Sequence, residues 1–217
     1  MSFAARRRRH GRRIADDGEL VAGLAMAAYA FARTFRGPRA RFWHRMTMTG
    51  ATLGTLALVE EPWLRRLRFT KSDVKAGLVS AAALYAIFRV GDVAARRVMP
   101  RGTEDIDDVY ALRGEHSRVA LALRLAAIIG PAEELFWRGF VRHRLVRIYG
   151  PGVGDASAIA AYGAVHLPTG NATLVGAATV AGAYWGALAA AGMSMPALIV
   201  SHVAWDVIIF LVAPTSR

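Results

Sequence analysis

Apolar runs separated by short charged segments dominate the chain. Residues 20–35, 46–62 and 74–95 each predict a helix, the first interrupted near its end by Arg33 and the second closed by Glu60-Glu61-Pro62. A polar stretch follows from Arg96 to Arg118, with Pro100 and the acidic cluster Glu104, Asp105, Asp107 and Asp108. Residues 117–149 read as one long helix or two halves. At 1.5 Å per residue such a helix reaches about 50 Å, beyond a hydrocarbon core of about 30 Å. Gly130-Pro131 predicts a kink within it, and Gly150-Pro151-Gly152 a stop. The helix expected at 154–167 is short, about 21 Å, and does not cross such a core. Residues 172–191 are uncharged and rich in Gly and Ala, which suits close helix packing. A last helix is expected over 195–213.

This pattern predicts an all-α fold, a polytopic transmembrane helical bundle with six or seven membrane helices. Three regions follow: a basic cytoplasmic tail over 1–17, N-terminal membrane anchor helices over 18–100, and a working core over 115–213. The tail is expected to be disordered. A mean hydropathy of +0.29 and 54% hydrophobic residues agree with a membrane protein.

Charge sharpens the picture. Residues 1–71 carry 15 Arg and Lys against 5 Asp and Glu, whereas residues 150–217 carry one against two. The cations sit in short segments between apolar stretches, as the positive-inside rule describes. That placement argues against nucleic acid as a partner, since a nucleic-acid binder spreads cations over a folded surface. The run 6–13 is read as a tail that fixes topology, and the loop 142–151 as cytoplasmic. The run does not read as a secretory signal peptide, because Asp16, Asp17 and Glu19 separate it from the first apolar stretch. With no cysteine, disulfides, thiolate metal sites and a cysteine nucleophile are excluded.

Against this background the ionisable residues of the apolar half stand out. Each costs roughly 2.5 kcal/mol or more inside a bilayer, so such groups must face one another or a wet cavity. Glu133 and Glu134 open an EExxxR string that ends at Arg138. Glu134 and Arg138 stand at i and i+4, in the favourable order for an ion pair. Glu133 is turned about 100° away on the helix and is free for chemistry. Tyr162 and His166 form a second i, i+4 pair, and His202 and Asp206 a third. Together they supply a free carboxylate, two imidazoles, an Asp and a charge-balanced Glu/Arg. A carboxylate and an imidazole can deprotonate a water, and a second imidazole can donate to an oxyanion. Peptide-bond hydrolysis at membrane depth is the natural chemistry of such a set.

The three motifs in order resemble the CPBP family, also called the Abi or type II CAAX prenyl endopeptidase family of intramembrane proteases, which is marked by EExxxR, FxxxH and HxxxN/D. The likeness covers about residues 115–213 and extends to the stretch from His166 to Asn171. It implies a helical membrane fold with a reaction chamber. It also implies that Glu133 is the water-activating base with His166 its partner, that Glu134 and Arg138 hold helix and charge, and that His202 and Asp206 line the carbonyl-oxygen side. Tyr162 stands where the family carries Phe, and its hydroxyl needs a partner. Asp206 stands where Asn is frequent: it is protonated, or orients His202, or helps hold a metal. Glu133, His166, His202 and Asp206 could supply a zinc set of N and O atoms, which would make the protein a metalloprotease. A metal-free glutamate mechanism fits the same residues.

The resemblance implies that the substrate is a membrane-associated protein or peptide. The bias to Arg, Ala and Gly points to a prokaryote, and hence to its inner membrane. Other readings are weaker. Gly152-Val153-Gly154-Asp155 matches a GxGD aspartyl-protease string, yet Asp155 suits a helix cap. Ser194 in Gly192-Met193-Ser194-Met195 resembles a rhomboid-like serine and also suits a cap. A proton or metal-ion transporter would show inverted repeats, which are not evident. A non-catalytic immunity or scaffold protein would tolerate the loss of Glu133.

Overall fold

The computed structural model describes residues 3–114 and 116–215, with side chains described from Gly18 onward. Eight helices carry the fold: α1 (Phe3–Phe35), α2 (Phe42–Glu60), α3 (Lys71–Val98), α4 (Gly102–Ala111), α5 (118–149), α6 (Val153–Ala164), α7 (Ala172–Ala190) and α8 (Met195–Val212). No strand occurs among the described residues. The all-α expectation holds.

Three helices are long and apolar enough to cross a membrane by length and composition: α3, α7 and α8. Charge sets α2 and α5 apart from these three. The core of α5 carries Arg124, Glu133, Glu134, Arg138 and Arg142, and α2 carries His44, Arg45 and Glu60. The basic run 6–13, expected as a disordered tail, falls in the stretch of α1 ahead of Gly18 whose side chains lie outside the described residues.

Local chemistry sets the helix ends. Thr70 and Asp73 cap α3 reciprocally, each side chain taking the other's backbone N–H at 3.2 and 2.9 Å. Gly150 and Gly152 both have positive φ, 81° and 83°, so the stop after α5 falls on residues that adopt it without strain. Asp155 then takes the Gly152 N–H at 3.1 Å from the third position of α6, one turn inside the cap itself. Asn171 caps α7 through the Leu174 N–H at 2.7 Å, and Ser194 caps α8 through the Ala197 N–H at 3.2 Å.

Pro131 removes a helical donor from α5, and the turn ahead of it widens. The Gly130 N–H reaches back five residues to the Leu125 carbonyl. A second wide-turned stretch runs over Leu135–Arg142. The two glutamates therefore sit on one regular turn, Gly130–Glu134, between two π-helical ones. Such turns are frequent at functional sites.

Packing is closest between α3 and α8. A Cβ on Gly77 would lie 2.6 Å from Val200 Cβ and 2.7 Å from the Ala197 carbonyl oxygen. Without a hydrophobic drive between lipid-immersed helices, such close approach is what holds them. Gly77→Leu is expected to separate the two helices and cost at least about 1–3 kcal/mol. Thermal melting of the purified variant in detergent checks this, and an unchanged midpoint would contradict the packing.

The polar stretch after α3 is not a bare linker. It folds as α4, which lies against the start of α7. Asp105 accepts from Thr173 Oγ1 at 3.0 Å, and its carbonyl accepts from Asn171 Nδ2 at 2.7 Å. Arg39 and Arg96 pair with Asp108 and Asp107 on its outer face. At the far end of α5, buried Arg144 draws α1 and α2 together through Glu19, Glu60 and Glu61.

Candidate active site

The site grows from the regular turn of α5. Glu134 is fully buried, and its Oε1 accepts from Arg138 Nη1 at 2.9 Å and from His202 Nδ1 at 2.7 Å. The i, i+4 pair expected from sequence is therefore present, and it reaches a second helix. Arg138 also donates from Nη2 to the Gly182 carbonyl on α7 at 3.2 Å. Its guanidinium stacks over Tyr162 at 4.9 Å and Trp185 at 5.4 Å. Hydrogen bonds and two aromatic faces thus compensate a charge that would be costly alone. Gly182 has no room for a side chain, since a Cβ there would come within 2.7 Å of the Tyr162 ring.

Glu133 points elsewhere, as its place on the helix predicts. Its Oε2 accepts from the Tyr162 hydroxyl at 2.8 Å. That answers where the additional hydroxyl of the YxxxH motif goes. His166 lies just past the end of α6, in the turn before Leu167–Thr169. Its Nδ1 is 2.9 Å from the Tyr162 carbonyl, an acceptor only, so Nδ1 carries the proton and Nε2 is left free. Phe31 and Phe35 of α1 hold the ring by aromatic contact at 5.5 and 5.4 Å. One residue, Tyr162, thereby ties the carboxylate to the imidazole.

His202 and Asp206 project from α8 on one face, with Nε2 3.8 Å from Asp206 Oδ2. Because Nδ1 faces an accepting carboxylate, it donates, and Nε2 is the ring atom that remains.

Glu133, Tyr162, His166, His202 and Asp206 all line one cavity of about 580 Å³. The rest of its wall is mainly apolar, with Trp43 of α2, Phe88 of α3, Ile106 of α4, Ala177 of α7 and Phe210 of α8. Glu134 and Arg138 do not line it. The six sequence-predicted residues thus form two layers. Four face the chamber, and the ion pair stands behind them, bonded to His202.

The four candidate zinc donors do not fit a metal centre. Among the described residues no three His, Cys, Asp or Glu side chains are placed to hold an ion. Glu133 bonds Tyr162 through Oε2, and His166 and His202 each bond a protein acceptor through Nδ1. The metalloprotease expectation finds no support in the placement of these four donors. The two caps considered as rival nucleophile strings are also accounted for. Asp155 pairs with Arg142 at 2.7 Å, and Ser194 bonds Asp73. Neither lines the chamber.

Sequence reasoning missed three contacts. Tyr162 was noted only as a hydroxyl in want of a partner, although its i−4 spacing to His166 placed it on the right face. The Gly182 carbonyl that receives Arg138 carries no signal at all. Trp185, stacked on His202 with centroids 3.9 Å apart, stands in a helix whose sequence signal is its small residues alone.

Neither a curated protein nor a solved structure matches the chain. A family model described as Rce1-like, type II CAAX prenyl endopeptidase, matches residues 115–208. The matched stretch contains α5 to α7 and most of α8, and with them all six candidate residues. The domain over residues 115–208 is an Rce1-like domain of the type II CAAX prenyl endopeptidase family.

Proposed function

We propose that this domain hydrolyses a peptide bond of a membrane-associated protein or peptide inside the chamber, by a water that Glu133 and His166 activate. The observation that carries this reading is the shared chamber. Glu133, His166, His202 and Asp206 come from α5, from the turn after α6 and from α8, and face one apolar cavity, with the charge-balanced Glu134–Arg138 pair behind them.

The chemistry follows from the atoms left free. Tyr162 donates to one oxygen of Glu133, which leaves the other to accept a proton from water. His166 Nε2 is available to hold the same water. The water oxygen attacks the scissile carbonyl carbon while its proton passes to Glu133. Negative charge develops on the carbonyl oxygen, where a proton on His202 Nε2 stabilises it. Glu134 accepts from Nδ1 and counters the charge on the ring. Asp206 lies close enough to Nε2 to orient it. As the C–N bond breaks, the proton held by Glu133 is delivered to the departing amine. An apolar wall keeps bulk water away and strengthens each of these electrostatic contacts. In this reading the protein is a membrane protein that works in the inner membrane of a prokaryotic cell, with the bilayer and a membrane-associated polypeptide as its partners.

Cleavage of a membrane-anchored peptide in heavy-oxygen water tests the mechanism. The label should enter the new carboxyl terminus and leave Glu133 unlabelled. Label in Glu133 would mean that the carboxylate attacks directly, and would overturn the activated-water reading.

The hydroxyl of Tyr162 aligns Glu133 without taking part in the reaction. Tyr162→Phe is therefore expected to fold and to cleave within about 100-fold of the parent, the worth of one hydrogen bond to a charged group. Turnover assays check this. A loss as complete as that of a Glu133 variant would make the hydroxyl a proton carrier.

A further inference from the structure

His202 is held by more than its bond to Glu134. The indole of Trp185 lies flat on the imidazole, with centroids 3.9 Å apart and planes inclined by 15°. Trp185 is fully buried, and its own orientation is fixed. Its Nε1 donates to Ser201 Oγ at 3.0 Å, and Ser201 Oγ is 2.8 Å from Ser80 Oγ on α3. Tyr184 closes the group by donating to the Ser80 carbonyl at 3.0 Å. Three helices, α3, α7 and α8, thus brace one ring.

Buried hydroxyls and an indole N–H are costly unless bonded, so such a network fixes a single arrangement. It lies away from the chamber atoms, since neither serine lines the cavity, whereas Trp185 and His202 both do. A single bond at Nδ1 leaves an imidazole free to rotate about that bond and swing Nε2 out of line. A flat indole against the ring removes that rotation. The face of the indole also attracts positive charge.

We propose that Trp185, locked by Ser201 and Ser80, is a positioning residue that holds the His202 ring so that Nε2 faces the reacting carbonyl. The idea rests on the activated-water reading for its catalytic consequence, but not for its geometric one. Two readouts on the full chain in lipid therefore separate the two.

The first readout is the proton spectrum of the histidine rings, with His202 assigned by its loss in His202→Gln. A stacked indole displaces the His202 ring protons upfield. Trp185→Leu should remove that displacement, and Trp185→Phe, which keeps a smaller ring, should retain part of it. The second readout is turnover of a membrane-anchored peptide. Trp185→Leu should lower kcat by about 10- to 100-fold, as a small misplacement of a reacting group does. KM should stay within about twofold, because the contact to the oxyanion is made only in the transition state. Trp185→Phe and Ser201→Ala should fall between parent and Trp185→Leu.

An unmoved His202 resonance in Trp185→Leu would overturn the stacking. An unchanged kcat in that variant, or a rise in KM alone, would overturn the positioning role. If Glu133→Gln stays active while the resonance shifts as expected, the hydrolytic reading fails and the brace stands. Should Trp185→Leu fail to fold, Trp185→Phe and Ser201→Ala carry the same two readouts, and parent-like values in both would overturn the proposal.

Discussion

Glu133→Gln should leave the protein folded and inserted while cleavage of a membrane substrate falls by at least about 10²–10⁴-fold, the contribution of a positioned general base. The amide keeps the shape of the side chain and can still accept from the Tyr162 hydroxyl. It cannot take a proton from water. The loss therefore separates chemistry from structure. Glu133 is not the residue that balances Arg138, so its neutralisation leaves no buried cation unpaired. Product analysis of purified parent and variant in lipid gives the answer, with thermal melting as the control for fold. Processing at the parent rate would remove Glu133 from the reaction, as expected of a scaffold that only keeps the family's shape.

The second large effect concerns stability. Glu134→Ala leaves Arg138 with the Gly182 carbonyl and two aromatic faces but no counter-charge, and strips His202 of its Nδ1 partner. Arg138→Ala leaves a fully buried carboxylate against a histidine. Breaking a buried pair from one side costs about 3–5 kcal/mol. That is a large share of the total for a domain of this size. Both variants should therefore show strongly reduced folded yield in membranes. The double variant Glu134→Gln with Arg138→Met should recover part of it, because removing both charges leaves neither one stranded. Yields after detergent extraction and size-exclusion chromatography measure this. Parent-like yield from both alanine variants would show that the pair is not holding the helices.

The candidate site was largely legible in the chain because intramembrane charge is so costly. Nothing in an apolar helix tolerates Glu133, Glu134 and Arg138 without partners, and the i, i+4 spacings showed which groups share a face. The stop at Gly150 and Gly152 and the cap at Ser194 were readable for equally local reasons. Elsewhere the decisive contacts are tertiary. No spacing says that His202 Nδ1 meets Glu134 from another helix, or that the Arg138 guanidinium ends on the carbonyl of Gly182. Trp185 looked like one more apolar residue in a small-residue helix, since its task depends on Ser201 and Ser80 across two interfaces. The zinc expectation followed from residue types alone, and the placement of the four donors gives it no support. Helices α2 and α5, expected among the membrane helices, differ from α3, α7 and α8 in the charges they carry. Helix α4 was missed as packing because its acidic residues read as a solvated linker, whereas Asp105 turns inward to Thr173 and Asn171.

The central claim is that groups from separate helices meet in one wet chamber within the lipid. The absence of native cysteine makes a direct measurement possible. Single variants His166→Cys and Ala177→Cys each place a thiol on the lining of the cavity, and Val79→Cys places one on the exposed flank of α3. A membrane-impermeant thiol reagent reacts only with a thiol that water reaches. Reaction at positions 166 and 177, with position 79 inert and a bulky adduct at 177 slowing modification at 166, is the predicted result. Inert thiols at both 166 and 177, or modification at each that ignores an adduct at the other, would contradict it.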